Sequence, residues 1–438
     1  MVRTLSAART FTASFFSCLL AALTLASATA SADPTPIFTG PQPLAEDYAC
    51  ASPPIGFGAS SAIRGRTLLV QIAAYYAPPC DTATLGRIGI YKLEPEVDNY
   101  EIYTRTGSLD ALPGQGIFGG VALDTPTTAA IGVGEGVGFY EEHHGVWQQV
   151  SLIESDTPNV SFTGPLVYRD GVLAIGARAL DPTNSILEPL QIFLYSVGAH
   201  GRARHVATVT PDQAGCMGTS FTLSRDKLVI GVPCAFGGTG KVLVFNQDGN
   251  RWTQRATLVP GDPQVGSGFG TSVAIRNGIV AVGSPYGDHV HVDETGDGRG
   301  SGYVFRLQGH QWRQIQKVQP AYEVEGLVGA FGTAAAITRD RVAFSAPEGT
   351  SGRRSDNAQV DIYKWQGRHL VFDQMIVANQ NIGEYMLASG RLLLIAQPGD
   401  PYGQEGIEVV DFDPPGSGSS SAAAPAPEAD ATAGTDED

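Results

Sequence analysis

The sequence predicts an all-β fold, a seven-bladed β-propeller of four-stranded antiparallel blades in which the N-terminal strand closes the last blade. Three observations lead there: a segment that recurs seven times, a strand–turn–strand pattern inside each copy, and a last copy that lacks its fourth strand. The composition agrees, because 54 glycines and only 16% charged residues leave little room for long amphipathic helices.

The recurring segment is clearest in three copies and weaker in four others. The clear copies are "MGTSFTLSRDKLVIGVP" from Met217, "FGTSVAIRNGIVAVGSP" from Phe269 and "FGTAAAITRDRVAFSAP" from Phe331. The weaker copies begin at Phe57, Phe118, Phe162 and Ile382. Repeats at this spacing are typical of solenoids, propellers and arrays.

Each copy contains signals for four strands. Two short apolar runs flank a turn such as "RNG" or "RDG", and such pairs supply the positive φ that two-residue hairpins need. A third run ("GYVFRL", "KVLVFN") and a fourth, often opening with tryptophan ("QWRQIQKV", "RWTQRATLV"), follow. Four strands repeated seven times predict a propeller. An open β-solenoid or a pair of β-sandwiches is the alternative.

Three segments divide the chain. Residues 1–32 resemble a signal peptide, with Arg3 and Arg9 before a short apolar run and small residues after it. Residues 33–412 form the predicted propeller. Residues 413–438 form an acidic tail that buries too little apolar surface to fold.

The ends of the propeller are expected to meet. The seventh copy ends at "GIEVVDF", so we expect Pro36–Leu44 to pair with the blade that contains Gly406–Phe412.

The apolar run of the signal segment is short for a membrane span, although an uncleaved anchor is the alternative. We therefore expect a monomer with no membrane span in the mature chain, either secreted or held in the periplasm or cell envelope.

Charge and motifs exclude several functions. Acidic residues outnumber basic ones by 44 to 28, a net charge of -16, which argues against a nucleic-acid partner. The sequence contains no zinc-protease, nucleophile-elbow, Cys-x-x-Cys or P-loop motif. His143 and His144 fall at a predicted turn between strands and are interpreted as exposed turn residues.

Four cysteines remain after the signal segment. Cys216 and Cys234 lie almost symmetrically about the first hairpin turn of blade 4, and Cys50 and Cys80 about that of blade 1. Because antiparallel strands bring symmetric residues opposite each other, we predict the disulfides Cys50–Cys80 and Cys216–Cys234. Free buried thiols are the alternative.

The Phe-Gly start and Gly-x-Pro finish of the copies resemble FG-GAP repeats over residues 36–412. This family forms the N-terminal propeller of integrin α subunits and many bacterial secreted proteins. Calcium-binding members carry an Asp-rich loop between the first two strands, whereas this chain has "IRNG", "YRDG", "LSRD" and "ITRD" there. The resemblance is therefore to the calcium-free bacterial form.

The long connections between second and third strands all leave one face of the predicted propeller, and variable loops on a rigid scaffold often bind. Plausible ligand-binding residues there are Tyr75, Tyr76, Tyr286, Arg353 and Arg354.

The blade 5 connection is also rich in carboxylates and imidazoles. Its Asp288, Asp293 and Asp297 are candidate ligands for Ca²⁺ or, with His289 and His291, for a transition metal. A solvated acidic loop is the alternative, and no other cofactor is expected.

Together these features favour a secreted, non-enzymatic binding scaffold that recognises a protein or glycan through one loop face. Two alternatives stay open. One is a hydrolase or lyase using carboxylates near the central channel, and the other is a structural component of an envelope or matrix.

Overall fold

The structure is a computed structural model. It describes residues 60–72, 87–93, 103–110, 117–134, 136–156, 160–162, 164–179, 191–210, 220–287, 299–320, 330–347, 358–378, 382–397 and 406–412. All of these belong to one compact unit, Pro36–Asp438. Within them, no helix is long and apolar enough to cross a membrane.

The described residues form seven antiparallel sheets, and this confirms the predicted all-β propeller. Blade 1 contains β1 (Ser61–Arg64), β2 (Thr67–Ile72), β3 (Arg87–Leu93) and β4 (Tyr103–Asp110). Blade 2 contains β5 (Ile117–Thr125), β6 (Thr128–Val133), β7 (Gly136–His143) and β8 (Val146–Ile153). Blade 3 contains β9 (Val160–Ser161), β10 (Leu166–Arg169), β11 (Val172–Ala179), β12 (Gln191–Val197) and β13 (Ala203–Val209).

The remaining blades repeat the pattern. Blade 4 contains β14 (Phe221–Ser224), β15 (Lys227–Val232), β16 (Lys241–Asp248) and β17 (Arg251–Leu258). Blade 5 contains β18 (Ser272–Arg276), β19 (Ile279–Ser284), β20 (Ser301–Gln308) and β21 (Gln311–Val318). Blade 6 contains β22 (Ala335–Ile337), β23 (Arg341–Ala346), β24 (Ala358–Gln366) and β25 (His369–Ala378). Blade 7 contains β26 (Met386–Ser389), β27 (Leu392–Gln397) and β28 (Gly406–Asp411).

Among the described residues, two short helical turns interrupt the strands, at Ala199–Gly201 and Ala235–Gly238. Blade 3 gains the extra strand β9, which pairs with β11. Blade 7 has three strands within the described residues. Its predicted fourth strand, Pro36–Leu44, lies outside them, so this detail of the closure stays a prediction.

The ring closes through its core. Seven clusters of buried apolar side chains lie one between each pair of neighbouring blades. The cluster between blades 7 and 1 joins Leu68 and Val70 to Leu394 and Ile407. The first strands of successive blades also pack side by side around the whole ring, including β26 against β1. The first strands therefore surround the central channel.

The first hairpins turn where the sequence predicts. Asn277 and Gly278 have φ of 46° and 69°, and Asp170 and Gly171 have 53° and 73°, as two-residue hairpins require. In blade 4, Ser224 pairs with Lys227, so the turn falls at Arg225 and Asp226 as predicted.

The Phe-Gly and Gly-x-Pro motifs form the joint between blades. Phe269 is fully buried, and Gly270 has φ of 98°. A β-carbon at Gly270 would lie 2.8 Å from the Lys241 carbonyl oxygen, and one at Gly231 would lie 1.9 Å from the Gly270 oxygen. Both positions therefore need glycine, because the backbones of blades 4 and 5 touch there.

The "SAP" variant in blade 6 keeps the joint by another contact. Ser345 occupies the position that the glycine holds in "GSP" and is fully buried. Its Oγ donates a hydrogen bond of 2.6 Å to the carbonyl oxygen of Gly383. A hydrogen bond thus replaces the close backbone approach.

Candidate functional site

The propeller has two faces with different connections. The loop face carries the second-to-third strand connections and the links between blades. The turn face carries the first-to-second and third-to-fourth strand turns, which are short in the described hairpins.

The described residues cover few of the predicted site residues. Tyr286 is described, directly after β19, and its side chain is 55% exposed. The other predicted binding and metal residues lie outside the described residues: Tyr75, Tyr76, Arg353, Arg354, Asp288, Asp293 and Asp297. Within the described part of the chain, no group of three or more His, Cys, Asp or Glu side chains is placed to hold a metal.

The cysteines of the predicted disulfides also lie mostly outside the described residues. Cys234 is described and partly buried beside the core between blades 3 and 4. Cys50, Cys80 and Cys216 lie outside the described residues, so both pairings stay predictions.

Three apolar side chains stand exposed together on the loop face at blades 4 and 5. Phe236 is 60% exposed, Val265 is 76% exposed and Tyr286 is 55% exposed. They belong to neighbouring segments: a β-carbon at Gly237, next to Phe236, would lie 3.8 Å from Val265 Cγ1, and one at Gly268, three residues after Val265, would lie 3.0 Å from the Tyr286 ring. We call Phe236, Val265 and Tyr286 the apolar platform.

Hydrogen bonds hold the backbone beneath the platform. The Gly268 N–H donates to the Gly238 carbonyl at 2.8 Å, and the Tyr286 N–H donates to the Ser267 carbonyl at 3.1 Å. The hydroxyl of Ser267 donates to the Thr239 carbonyl at 3.2 Å. Three segments from two blades are therefore tied into one surface.

Phe236 has an unfavourable backbone conformation. Its φ of 53° and ψ of 45° lie in the left-handed region, which costs a residue with a β-carbon roughly 1–2 kcal/mol. Its ring lies over the Lys241 ammonium, with 5.3 Å from Nζ to the ring centroid. Strain of this kind persists where the surroundings fix it and often marks binding surfaces.

Arginines occupy one position of the repeat on the turn face. Arg64, Arg169 and Arg276 each end the first strand of a blade, β1, β10 and β18, as the eighth residue of their copies. Arg339 lies one position later in the blade 6 turn. We call Arg64, Arg169, Arg276 and Arg339 the arginine mouth.

These side chains influence one another although their blades are not all neighbours. Burial and then the charge of Arg64 lower the pKa of Arg169 to about 10, with Arg276 adding to this and Asp170 and Asp124 opposing it. Burial also lowers the pKa of Arg276, and the charges of Arg339 and Arg64 lower it further. These residues end first strands that pack around the ring, so they surround one end of the channel, and their charges influence one another across it.

The guanidinium groups are incompletely paired. Arg64 Nε donates to the Asp124 carbonyl oxygen at 2.8 Å. The Nε atoms of Arg169 and Arg276 are buried without a hydrogen-bond partner among the described residues. The Asp124 carboxylate accepts hydrogen bonds from the backbone N–H groups of Asp170 and Gly171, so it holds the blade 3 turn.

Sequence reasoning missed the arginine mouth although its signal was present. The segments "AIRG", "YRDG" and "IRNG" place arginine at the same position of three copies. The strain at Phe236 was missed as well, because "CAFGGTG" gives no periodic signal.

Glu141 joins two histidines on the outside of blades 2 and 3. Its Oε2 lies 3.2 Å from His143 Nε2 and 3.3 Å from His200 Nδ1. His143 ends β7 and His144 lies in the following turn, as the sequence predicts, and both are exposed.

Comparison with known families supports the repeat. The family model described as "FG-GAP repeat" matches residues 252–305, from β17 to β20. The chain is therefore a β-propeller that contains an FG-GAP repeat at these residues. A propeller with FG-GAP repeats fits a binding scaffold in general terms.

Solved structures are similar to this chain in fold, at low sequence identity. The crystal structure of Saccharomyces cerevisiae Sqt1 shares 9% identity and a TM-score of 0.46, covering 79% of this chain and 81% of that one. The Cps50 (Swd1) β-propeller domain of Myceliophteria thermophila shares 11% identity and a TM-score of 0.47, covering 82% and 97%. No curated protein matches this chain in sequence.

Proposed function

We propose that this FG-GAP propeller is an exported, non-enzymatic scaffold that binds a protein or glycan through its loop face. The observation that supports it is the apolar platform. Phe236, Val265 and Tyr286 expose apolar surface on a base tied together by hydrogen bonds.

The platform has properties that favour recognition. Exposed apolar side chains scattered singly are ordinary on a protein surface, but a contiguous group is typical of an interaction site. Two of its members are aromatic, and aromatic side chains supply large contact area with few rotatable bonds. A strained Phe236 adds to the argument, because an exposed ring at a left-handed position contributes little to the core.

Export is part of the proposal. The signal-like residues 1–32 and the extracellular setting typical of FG-GAP repeats both favour it. We place the mature chain outside the cell or in the envelope, acting as a monomer. A purely structural role in an envelope or matrix remains the second candidate, since the acidic tail would suit a spacer.

The enzymatic alternative has less support. It requires a pair of carboxylates near the central channel, one to donate a proton and one to accept it. The described groups that converge at the turn-face end of the channel are arginines, and the nearby Asp124 is engaged by two backbone N–H groups. This chemistry favours binding.

The test is capture with matched surface variants. Purified exported chain is used to capture envelope or host-surface proteins and is applied to a glycan array. Val265→Asp is expected to abolish the captured signal by placing a charge in the platform. The control Val146→Asp changes a valine that is 55% exposed on the turn face and should bind normally. Equal loss in both variants, or no loss in either, would contradict a loop-face site.

A further inference from the structure

The arginine mouth is a second, separate feature that the proposed function does not use. It lies at the turn-face end of the channel, where first strands from blades 1, 3 and 5 and the blade 6 turn contribute one arginine each. The first strands pack around the ring, so residues at their ends surround the channel opening. Arginines from blades that do not touch thereby surround the same opening.

The described residues of the arginine mouth provide too few hydrogen-bond acceptors for its guanidinium N–H groups. A guanidinium group presents a planar fork of N–H donors and has no acceptor of its own. Arg64 Nε is satisfied by the Asp124 carbonyl, but the buried Nε atoms of Arg169 and Arg276 have no partner within the described chain. Buried donors without partners are costly, and they are rare in native structures unless something else satisfies them.

The charges at the mouth are unbalanced. Two carboxylates, Asp124 and Asp170, act on Arg169, against the charges of Arg64 and Arg276, and Arg339 adds to the field at Arg276. Asp124 is already engaged by the backbone of the blade 3 turn. The excess is positive although the whole chain carries a net charge of -16, so the mouth does not belong to a generally basic surface.

We propose that the turn-face end of the channel binds one tetrahedral oxyanion, a phosphate or sulfate group, between Arg64, Arg169 and Arg276. Arginine forks match such oxyanions with paired hydrogen bonds, and the anion would supply the missing acceptors. The ligand is expected to be a single anionic group, because a negatively charged surface repels a long polyanion while a focused cluster still attracts one small ion.

Isothermal titration calorimetry with the purified exported chain tests this. Inorganic phosphate, inorganic sulfate and methyl phosphate are titrated separately at constant ionic strength in chloride. We expect saturable binding of one anion per chain. Arg169→Gln and Arg276→Gln should each weaken it by about tenfold or more, the factor that follows from losing a charge-assisted hydrogen bond.

Arg225→Gln is the matched control. Arg225 lies in the blade 4 turn on the same rim but is exposed, and its loss should leave affinity within about twofold. Circular dichroism checks folding, and Arg276→Lys keeps the charge but not the fork, so it should bind with intermediate affinity. Binding of methyl phosphate as tight as that of inorganic phosphate identifies a terminal group on a larger molecule, whereas binding of inorganic ions alone identifies a free ion.

Two results would overturn the proposal. One is the absence of saturable binding of either oxyanion by the unmodified chain. The other is an equal loss of affinity in Arg225→Gln and Arg169→Gln, since that would mean diffuse attraction to the rim. Neither result bears on the apolar platform, which lies on the opposite face.

Discussion

The loop face and the turn face of this propeller differ in how chemistry arises from sequence. On the loop face, connections of unequal length place different residues in each blade, and the apolar platform is built from blades 4 and 5. On the turn face, two-residue turns hold the first hairpins of blades 1, 3 and 5 in the same register, so one position of the repeat returns to the channel end in each of these blades. The loop face therefore differs from blade to blade, whereas the turn face presents the same repeat position more than once.

The turn face carries two kinds of arginine, one paired with carboxylates and one surrounded by other cations. Arg341 begins β23 and donates from Nε to Asp373 at 2.8 Å and from Nη1 to Asp340 at 2.6 Å. Arg169 instead lies among other cations, and its Nε has no hydrogen-bond partner in the part of the chain that the structure describes. A paired arginine stabilises the blade, whereas a clustered one costs stability until it meets an anion.

The largest expected effect is on the free energy of unfolding. It compares a glycine at the joint between blades 4 and 5 with a glycine in the first turn of blade 5. Gly270→Ala forces a β-carbon to 2.8 Å from the Lys241 carbonyl at φ of 98°, so we expect a loss of about 3 kcal/mol of unfolding free energy. Gly278→Ala, in the turn, meets its nearest atom at 3.5 Å and should cost about 1 kcal/mol. Urea denaturation measures both, and equal losses would show that the blade joint is not tighter than the turn.

The second prediction uses the two arginines, which should change stability in opposite directions. Arg341→Gln should lower the unfolding free energy by about 2 kcal/mol, because it leaves the partly buried Asp373 carboxylate with one partner fewer. Arg169→Gln should raise it by about 1 kcal/mol in the absence of oxyanion, because a desolvated charge is removed from among like charges. Destabilisation by both substitutions in oxyanion-free urea titrations would argue that Arg169 is also structural.

On the loop face, relieving the strain at Phe236 should stabilise the fold. Phe236→Gly removes the left-handed penalty and loses little buried area, so we expect a gain of about 1 kcal/mol. Phe236→Ala keeps the penalty and serves as the control, with no gain in a thermal melt followed by circular dichroism. If Phe236→Ala were stabilised as much as Phe236→Gly, the backbone conformation would not be the cause.

The smallest expected effect is on stability in acid. Burial alone would raise the pKa of Asp373, but hydrogen bonds from Lys364 and Arg341 lower it below its usual value of 3.8. A carboxyl with a lowered folded pKa stabilises the protein above about pH 4, and that contribution is lost as the pH falls through the folded pKa. Asp373→Asn should therefore flatten the fall of unfolding free energy below about pH 4, and an unchanged slope in urea titrations would count against the pairing.

The sequence predicted those parts of the fold that depend on local chemistry. Asn277 and Gly278 predict a hairpin, and the Phe269–Gly270 pair predicts the blade joint. In both cases the residues that the local geometry requires lie within a few positions of each other. A shared irregularity was not predicted. Six blades shift register between their third and fourth strands, each at an aromatic residue such as Tyr91 or Phe305. A bulge depends on how two strands pair, which the hydrophobic pattern alone does not determine.

The candidate sites follow the same division. Tyr286 was predicted as an exposed anchor from its place after a strand, and it is exposed. The meeting of Arg64 with Arg276 depends on closure of the whole ring, because these residues are far apart in sequence and in blades that do not touch. Aligning the copies position by position would have pointed to them, since the arginines recur at one position of the repeat.

The difference between the faces is tested most directly by crystallography of the exported chain grown with tungstate, a tetrahedral oxyanion with a strong anomalous signal. We expect one anomalous peak at the turn-face end of the channel, in contact with the guanidinium groups of Arg169 and Arg276. The peak should be absent in crystals of Arg169→Gln grown under the same conditions. An empty channel mouth in the unmodified chain, with tungstate bound only at lattice contacts or on the loop face, would contradict it.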